Sequence, residues 1–174
     1  MKKIISIALV SMLAISGAIA KDVATTSKRV TAKGDNVSIT YGQASRNGQV
    51  IFGKTSDNAQ IPNGTLWCTG DGKVAQVTIN KNCRVGGNKV PLKAGTYSLY
   101  TRPCGGEWVF MFNTQLNQSG IASFNADKTV CQTWALVKHL GTPVEQFTVT
   151  PQNGGLLMEW DTQSVLLPVE FDSN

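Results

Sequence analysis

From Val37 onward the chain alternates apolar and polar side chains with a period of two, and turn residues break the alternation every 8 to 12 positions. Successive side chains of a strand point to opposite faces, so this periodicity commits the chain to sheets with one buried face and leaves little room for helices. Strands are expected over residues 37–41, 49–52, 65–68, 73–80, 96–102, 107–113, 121–124, 130–137, 144–150, 156–161 and 164–170. Between them stand Asn63-Gly64, Gly70-Asp71-Gly72, Gly86-Gly87-Asn88, Gly105-Gly106 and Asn153-Gly154-Gly155, residues that accept positive φ as tight hairpin turns require. Residues 130–138 also fit a helical face through Val130, Trp134 and Val137, but their β-branched and aromatic content favours a strand. The expected fold class is all-β, an antiparallel, jelly-roll-like β-sandwich spanning residues 37–172, preceded by a flexible lead-in over 21–36 that is rich in Thr, Ser, Lys and Gly.

Alternation also assigns faces. Trp108, Phe110 and Phe112 point one way and Val109, Met111 and Asn113 the other, so 107–113 reads as a central strand with its second face partly covered. Leu156, Met158 and Trp160 share a core face, which turns Leu157, Glu159 and Asp161 outward. Pro168 lacks a ladder donor and points to an edge position for the last strand.

The first twenty residues read as a secretory signal peptide: a basic head at Lys2-Lys3, an apolar run, and Ala18-Ile19-Ala20 as a small-residue cleavage signal. The run is shorter than the roughly 20 apolar residues that span a bilayer, so cleavage after Ala20 is expected, with no transmembrane segment afterwards. A periplasmic or secreted location follows. The precursor carries a formal charge of +5, and about +3 remains once Lys2 and Lys3 leave. That charge is dispersed, with no cluster of the kind that binds nucleic acid.

Four cysteines, Cys68, Cys83, Cys104 and Cys131, in an exported chain favour two disulfides, for which three connectivities exist. A hairpin turning at Gly70-Asp71-Gly72 places Cys68 and Cys83 at opposite ends of a strand more than about 20 Å long. A disulfide needs Cα atoms within about 7 Å, which disfavours Cys68–Cys83 and leaves two connectivities; of these Cys68–Cys104 with Cys83–Cys131 is the preferred expectation. No cysteine spacing matches a zinc site, and His139 stands alone, so no metal or cofactor is expected.

An ordered series runs through the chain: Tyr41, Ser45, Gly48, Ile51-Phe52-Gly53, Trp67-x-Thr69-Gly70, Pro91-Leu92-x-Ala94-Gly95-Thr96-Tyr97-Ser98-Leu99, Trp108-Val109-x-x-Phe112-Asn113, Gln118-x-Gly120 and Glu159-Trp160. It resembles a family of secreted bacterial proteins, common among Bacteroidetes, known as a domain of unknown function. The matching residues are mostly Gly, Trp, Tyr and Phe, so the resemblance implies an architecture and not an activity. Two stretches depart from the family pattern. Residues 43–49 read Gln-Ala-Ser-Arg-Asn-Gly-Gln where the pattern is near Arg-Pro-Ser-x-x-Gly-Arg, and Cys68, Asp71 and Gly72 stand where it has Arg, Ala and Asn.

Chemistry-bearing groups are few. Glu159 and Asp161, two apart on one outward face, have the spacing of a glycosidase carboxylate pair, although neighbouring outward acids are ordinarily just solvated. A glycan-acting hydrolase is therefore the alternative reading. No Gly-x-Ser-x-Gly elbow accompanies His139. Trp67, beside a polar turn, is the tryptophan expected to be partly exposed, and with Gln76, Tyr100 and Arg102 it could edge a shallow binding site. An exposed patch at Val109 and Met111 would mark a subunit of an assembly. The expected function is an exported, non-catalytic binding or structural protein whose partner is an envelope glycan or protein.

Overall fold

A computed structural model describes residues 27–173; the expected signal peptide and its cut after Ala20 lie outside the described residues. The described chain is all-β, with strands β1 (Arg29–Lys33), β2 (Val37–Gly42), β3 (Phe52–Gly53), β4 (Ile61–Pro62), β5 (Ala75–Ile79), β6 (Cys83–Val85), β7 (Val90–Leu92), β8 (Gly95–Pro103), β9 (Glu107–Asn113), β10 (Thr129–Gln152) and β11 (Gly155–Phe171). Nine of them form one sheet in the order β1-β2-β5-β8-β9-β10-β11-β6-β7, with antiparallel neighbours throughout. β3 and β4 form a separate short parallel pair. Among the described residues no helix is long and apolar enough to cross a membrane.

β10 has 24 residues and β11 has 17. At about 3.4 Å per residue β10 would be about 80 Å long if straight, twice the roughly 40 Å breadth of a domain this size. It does not run straight. Its register with β11 slips between His139 and Val144 and again between Val144 and Thr148. Opposite the break, Asp161 takes a left-handed backbone at φ 51°. Such irregularities bend and twist a sheet. Beyond the bend, β10 returns to β2. Val149 N donates to Tyr41 Oη at 3.0 Å, and the Tyr41 and Phe147 rings meet edge-to-face at 5.2 Å.

The core lies inside this bend. Phe52, Trp67, Trp108, Phe147 and Trp160 form one aromatic cluster, with centroids 5.0 to 6.2 Å apart across the ring contacts around it. Leu99, Phe110, Phe112, Val77 and Ile39 continue it along the sheet. Trp108 and Trp160 are buried as the alternation requires, and 130–138 is strand.

The outer face of the same sheet is partly covered too. Residues 114–128 lie across it. The Phe124 ring meets Tyr100 at 4.8 Å, Ser98 Oγ donates to the Gln115 carbonyl at 2.8 Å, and Asn113 Nδ2 donates to the Asn125 carbonyl at 2.8 Å. Met111 is buried beneath this cover and Val109 is half-buried, so the patch expected there is not open.

Several expectations are corrected. The lead-in is not loose throughout, because Arg29–Lys33 pairs residue for residue with β2 and Thr31 Oγ1 meets Thr40 Oγ1 at 2.8 Å. The stretch 121–124 is part of the cover and not a strand, and 65–68 contributes a single bridge, Trp67 to Thr101. The expected pairs 130–137 with 144–150, and 156–161 with 164–170, are each one continuous strand. Pro168 is not at an edge, since β11 lies between β10 and β6. It sits beyond the β10 ladder, which ends at Val165, and before the β6 ladder, which begins at Val169, where no donor is needed.

The two disulfides are also absent, as all four cysteines are free thiols. Cys68 is buried with its thiol directed at the Gly70 carbonyl, 3.3 Å away, while Cys104 is exposed on the β8–β9 turn. Cys83 sits in β6, between Phe171 and Leu92, and Cys131 sits in β10 opposite Phe112, on strands that do not pair with each other.

Candidate functional site

The structure separates the residues proposed for a shallow site. Trp67 is only 7% exposed. Its ring belongs to the aromatic core, and its Nε1 donates to the Gly70 carbonyl at 2.8 Å. Thr69 Oγ1 meets Thr101 Oγ1 at 2.6 Å. Gly70 presses on the backbone of Gly42, where a Cβ would lie 2.8 Å from the Gly42 carbonyl oxygen. The Trp-x-Thr-Gly motif is thus a structural lock between the turn and the sheet. Gln76, Tyr100 and Arg102 fall on the other side of the sheet, because Gln76 pairs with Ser98 and side chains alternate along β8. There Gln76 Nε2 donates to Asn117 Oδ1 at 3.1 Å, Arg102 is exposed, and Tyr100 is fully buried under Phe124 with no hydrogen-bond partner for its hydroxyl among the described residues. Burial raises the Tyr100 pKa, and the neighbouring Cys68 adds to that.

The outward acid pair is corrected as well. Asp161 is buried. Its Oδ1 accepts from Arg46 Nε at 2.8 Å and its Oδ2 accepts from Ile51 N at 3.0 Å. The positive φ at Asp161 breaks the period of two and turns the carboxylate away from solvent. Glu159 accepts from Ser164 Oγ at 3.0 Å. His139 is exposed on β10 opposite Gln163.

The Asp161 contacts shape a different place. Residues 44–46 run antiparallel to the far half of β10: Phe147 N donates to the Ala44 carbonyl at 2.9 Å, and Arg46 N donates to the Glu145 carbonyl at 2.7 Å. Asn47-Gly48 then turns the chain with φ of 50° and 74°, closed by Gln49 N on the Arg46 carbonyl at 3.0 Å. Both central residues have positive φ, which is why this tight turn suits an Asn-Gly pair. Asp161 ties both sides of this hairpin to β11. On the other side, Asp71 N donates to the Gly42 carbonyl at 3.1 Å and holds the Gly70-Asp71-Gly72 turn beside the hairpin.

Between these parts lies an open cleft of about 580 Å³. Its floor is apolar, made of the buried side chains Ile51 and Trp160. Its walls carry the amides of Gln43, Asn47, Gln49, Gln60 and Gln146, with Ser27, Ser45, Lys28 and Asp71. Ser27 Oγ donates to Asp71 Oδ2. Among the described residues none of the five wall amide groups has a hydrogen-bond partner within the protein. Lys28 and Asp71 are the exposed charges of the lining, one of each sign, and the Arg46–Asp161 pair behind it is internally neutralised.

Gln43, Asn47, Gln49, Gln60 and Gln146 were not singled out as site residues from the sequence. One signal pointed there. The two stretches that depart from the resembled pattern, 43–49 and 67–72, meet at this cleft through Gln43, Ser45, Asn47, Gln49 and Asp71.

The family model of "Protein of unknown function (DUF2911)" matches residues 22–169. The chain belongs to this family. Comparison with curated proteins and with solved structures gives no match. In this DUF2911 member two further hollows lie away from the cleft. One of about 630 Å³ is formed by the β1–β2 and β10–β11 turns with Glu170, whose carboxylate pairs with Lys89 at 3.0 Å. The other, about 400 Å³, is lined by Pro91, Leu92, Tyr97 and Val130. Among the described residues of the DUF2911 chain no three His, Cys, Asp or Glu side chains gather as a metal site.

Proposed function

We propose that this DUF2911 protein is exported and acts without catalysis, binding a component of the cell envelope in the cleft beside the 43–49 hairpin. In this reading the bent sheet is a jelly-roll-like sandwich, and residues 1–20 are removed on export. One observation carries the proposal: amide groups that have no partner among the described residues converge over an apolar floor. Polar groups that merely solubilise a surface have no reason to gather in one concavity, whereas binding sites are concave with a few converging polar groups. Both Asp161 oxygens are occupied, which weighs against a hydrolase using Glu159 and Asp161.

Two experiments test this. Intact-mass measurement of the protein from the periplasm or medium should give a chain starting at Lys21; a retained leader would overturn export. A ¹H–¹⁵N spectrum recorded with solubilised envelope extract should show the side-chain amides of the cleft shifting. Shifts confined to other surfaces, or turnover of an envelope glycan by the purified protein, would overturn the binding reading.

A further inference from the structure

We infer that the cleft takes an uncharged, polyhydroxylated ligand, a neutral saccharide, and that Asp71 is its principal hydroxyl acceptor; this rests on the cleft being a binding site. The argument is one of chemical matching. Each primary amide offers two donors and an acceptor, and a sugar hydroxyl is itself both donor and acceptor. The free amides of Gln43, Gln60 and Gln146 can therefore engage hydroxyls in either sense. An anionic ligand calls for guanidinium groups, but Arg46 is committed to Asp161 and the charge of Lys28 is offset by Asp71. A cationic ligand would find one exposed carboxylate in the lining, that of Asp71. An apolar ligand would strip water from the amides without replacing its hydrogen bonds, leaving each covered group unsatisfied. A neutral polar ligand incurs none of these costs.

Two details bear on the match. Among the described residues the Ser27 hydroxyl occupies only Oδ2 of Asp71, so Oδ1 is left to accept from a ligand hydroxyl. A charged acceptor makes the stronger hydrogen bond, so Asp71 should dominate the polar contribution. Ile51 and Trp160 line the floor but are almost wholly buried, so recognition falls mainly to the polar walls. The cleft, about 580 Å³, is within the range of small-ligand sites.

The test is titration of the ¹⁵N-labelled protein with neutral gluco-, manno- and N-acetylated chito-oligosaccharides. A polyuronate and acidic and basic peptides serve as charged probes. At least one neutral saccharide should shift the side-chain amides of Gln43, Gln60 and Gln146 and the Trp160 indole saturably. Asp71→Asn keeps the shape and removes the charge, and should weaken that saccharide about tenfold; Gln60→Ala and Gln146→Ala should each weaken it several-fold with the melting temperature unchanged. If a charged probe moves these resonances and no neutral saccharide does, the ligand class is wrong and the binding site stands. If no probe moves them, the saccharide inference fails, and the binding reading falls only if the envelope extract also leaves the cleft unperturbed. Unchanged affinity in Asp71→Asn overturns the role of that carboxylate.

Discussion

Asp161 shows most clearly how one residue decides local structure here. Alternation along 156–161 assigns it to the solvent face, and a local pattern can say no more. Its left-handed backbone is tolerated because Asp visits that region more readily than most side chains. What holds it there is a pair of partners more than a hundred residues away in sequence, Arg46 at a separation of 115 and Ile51 at 110. Asp161→Asn should cost about 2–3 kcal/mol, the range for a charge-assisted bond to a buried group whose partner stays partly solvated. In urea unfolding, adding Arg46→Ala to Asp161→Asn should cost little more than Asp161→Asn alone, and full additivity would disprove the coupling.

The thiols give a second prediction at this scale. Cys104 is exposed and the other three cysteines are buried, so a thiol reagent should modify one cysteine in the native protein and four after denaturation. Burial pushes Cys68, Cys83 and Cys131 from the usual 9.0 up to about 11. The folded state therefore holds these protons more tightly than the unfolded chain does. This contribution to stability is complete below pH 9 and is lost as pH rises from about 9 to about 11. Denaturation midpoints measured from pH 8 to 11 should fall in that window, and a flat profile would contradict the burial. Sequence spacing favoured disulfides because it counts cysteines and cannot see that Cys68 and Cys104 face different surroundings.

At the scale of elements, β2 and the 69–72 turn bring two backbones very close together. A Cβ on Gly42 would lie 1.9 Å from the Asp71 carbonyl oxygen, whereas one on Gly106 would meet nothing within 4 Å. Gly42→Ala should cost about 3 kcal/mol or more, or abolish folding, because two backbones would have to part. Gly106→Ala should stay within about 0.5 kcal/mol, and chemical denaturation of the two variants checks the contrast. The same contact sets the position of Asp71 at the cleft, so the family-like Trp-x-Thr-Gly motif serves the site indirectly. The central strands were legible: 107–113 was placed residue for residue, since strong alternation with aromatic residues survives any tertiary context. The short strands Cys83–Val85 and Val90–Leu92 were not, because three residues carry too little period to detect.

For the whole molecule, the sheet order places β5, β8 and β9 between neighbours on both sides and leaves β1 and β7 at the edges. β7 is three residues long and contains Pro91, and β1 is flanked and occupied by Lys28, Arg29 and Lys33; both features discourage further strand pairing. Amide hydrogen exchange should be slowest in β8 and β9, beneath both the aromatic core and the 114–128 cover, and fastest in β1. Fast exchange in β9 would mean that the cover does not protect it.

The all-β class and the long central strands with their inward faces, such as Glu107–Asn113, were determined by the sequence alone, because a period of two is written into neighbouring residues. The bend in β10 and β11, the recruitment of Arg29–Lys33 into the sheet, the four free thiols and the cleft were decided by tertiary structure. Each depends on contacts between segments far apart in the chain, such as Ser45 with Gln146 and Arg46 with Asp161, and no local pattern encodes which distant backbone will supply the partner.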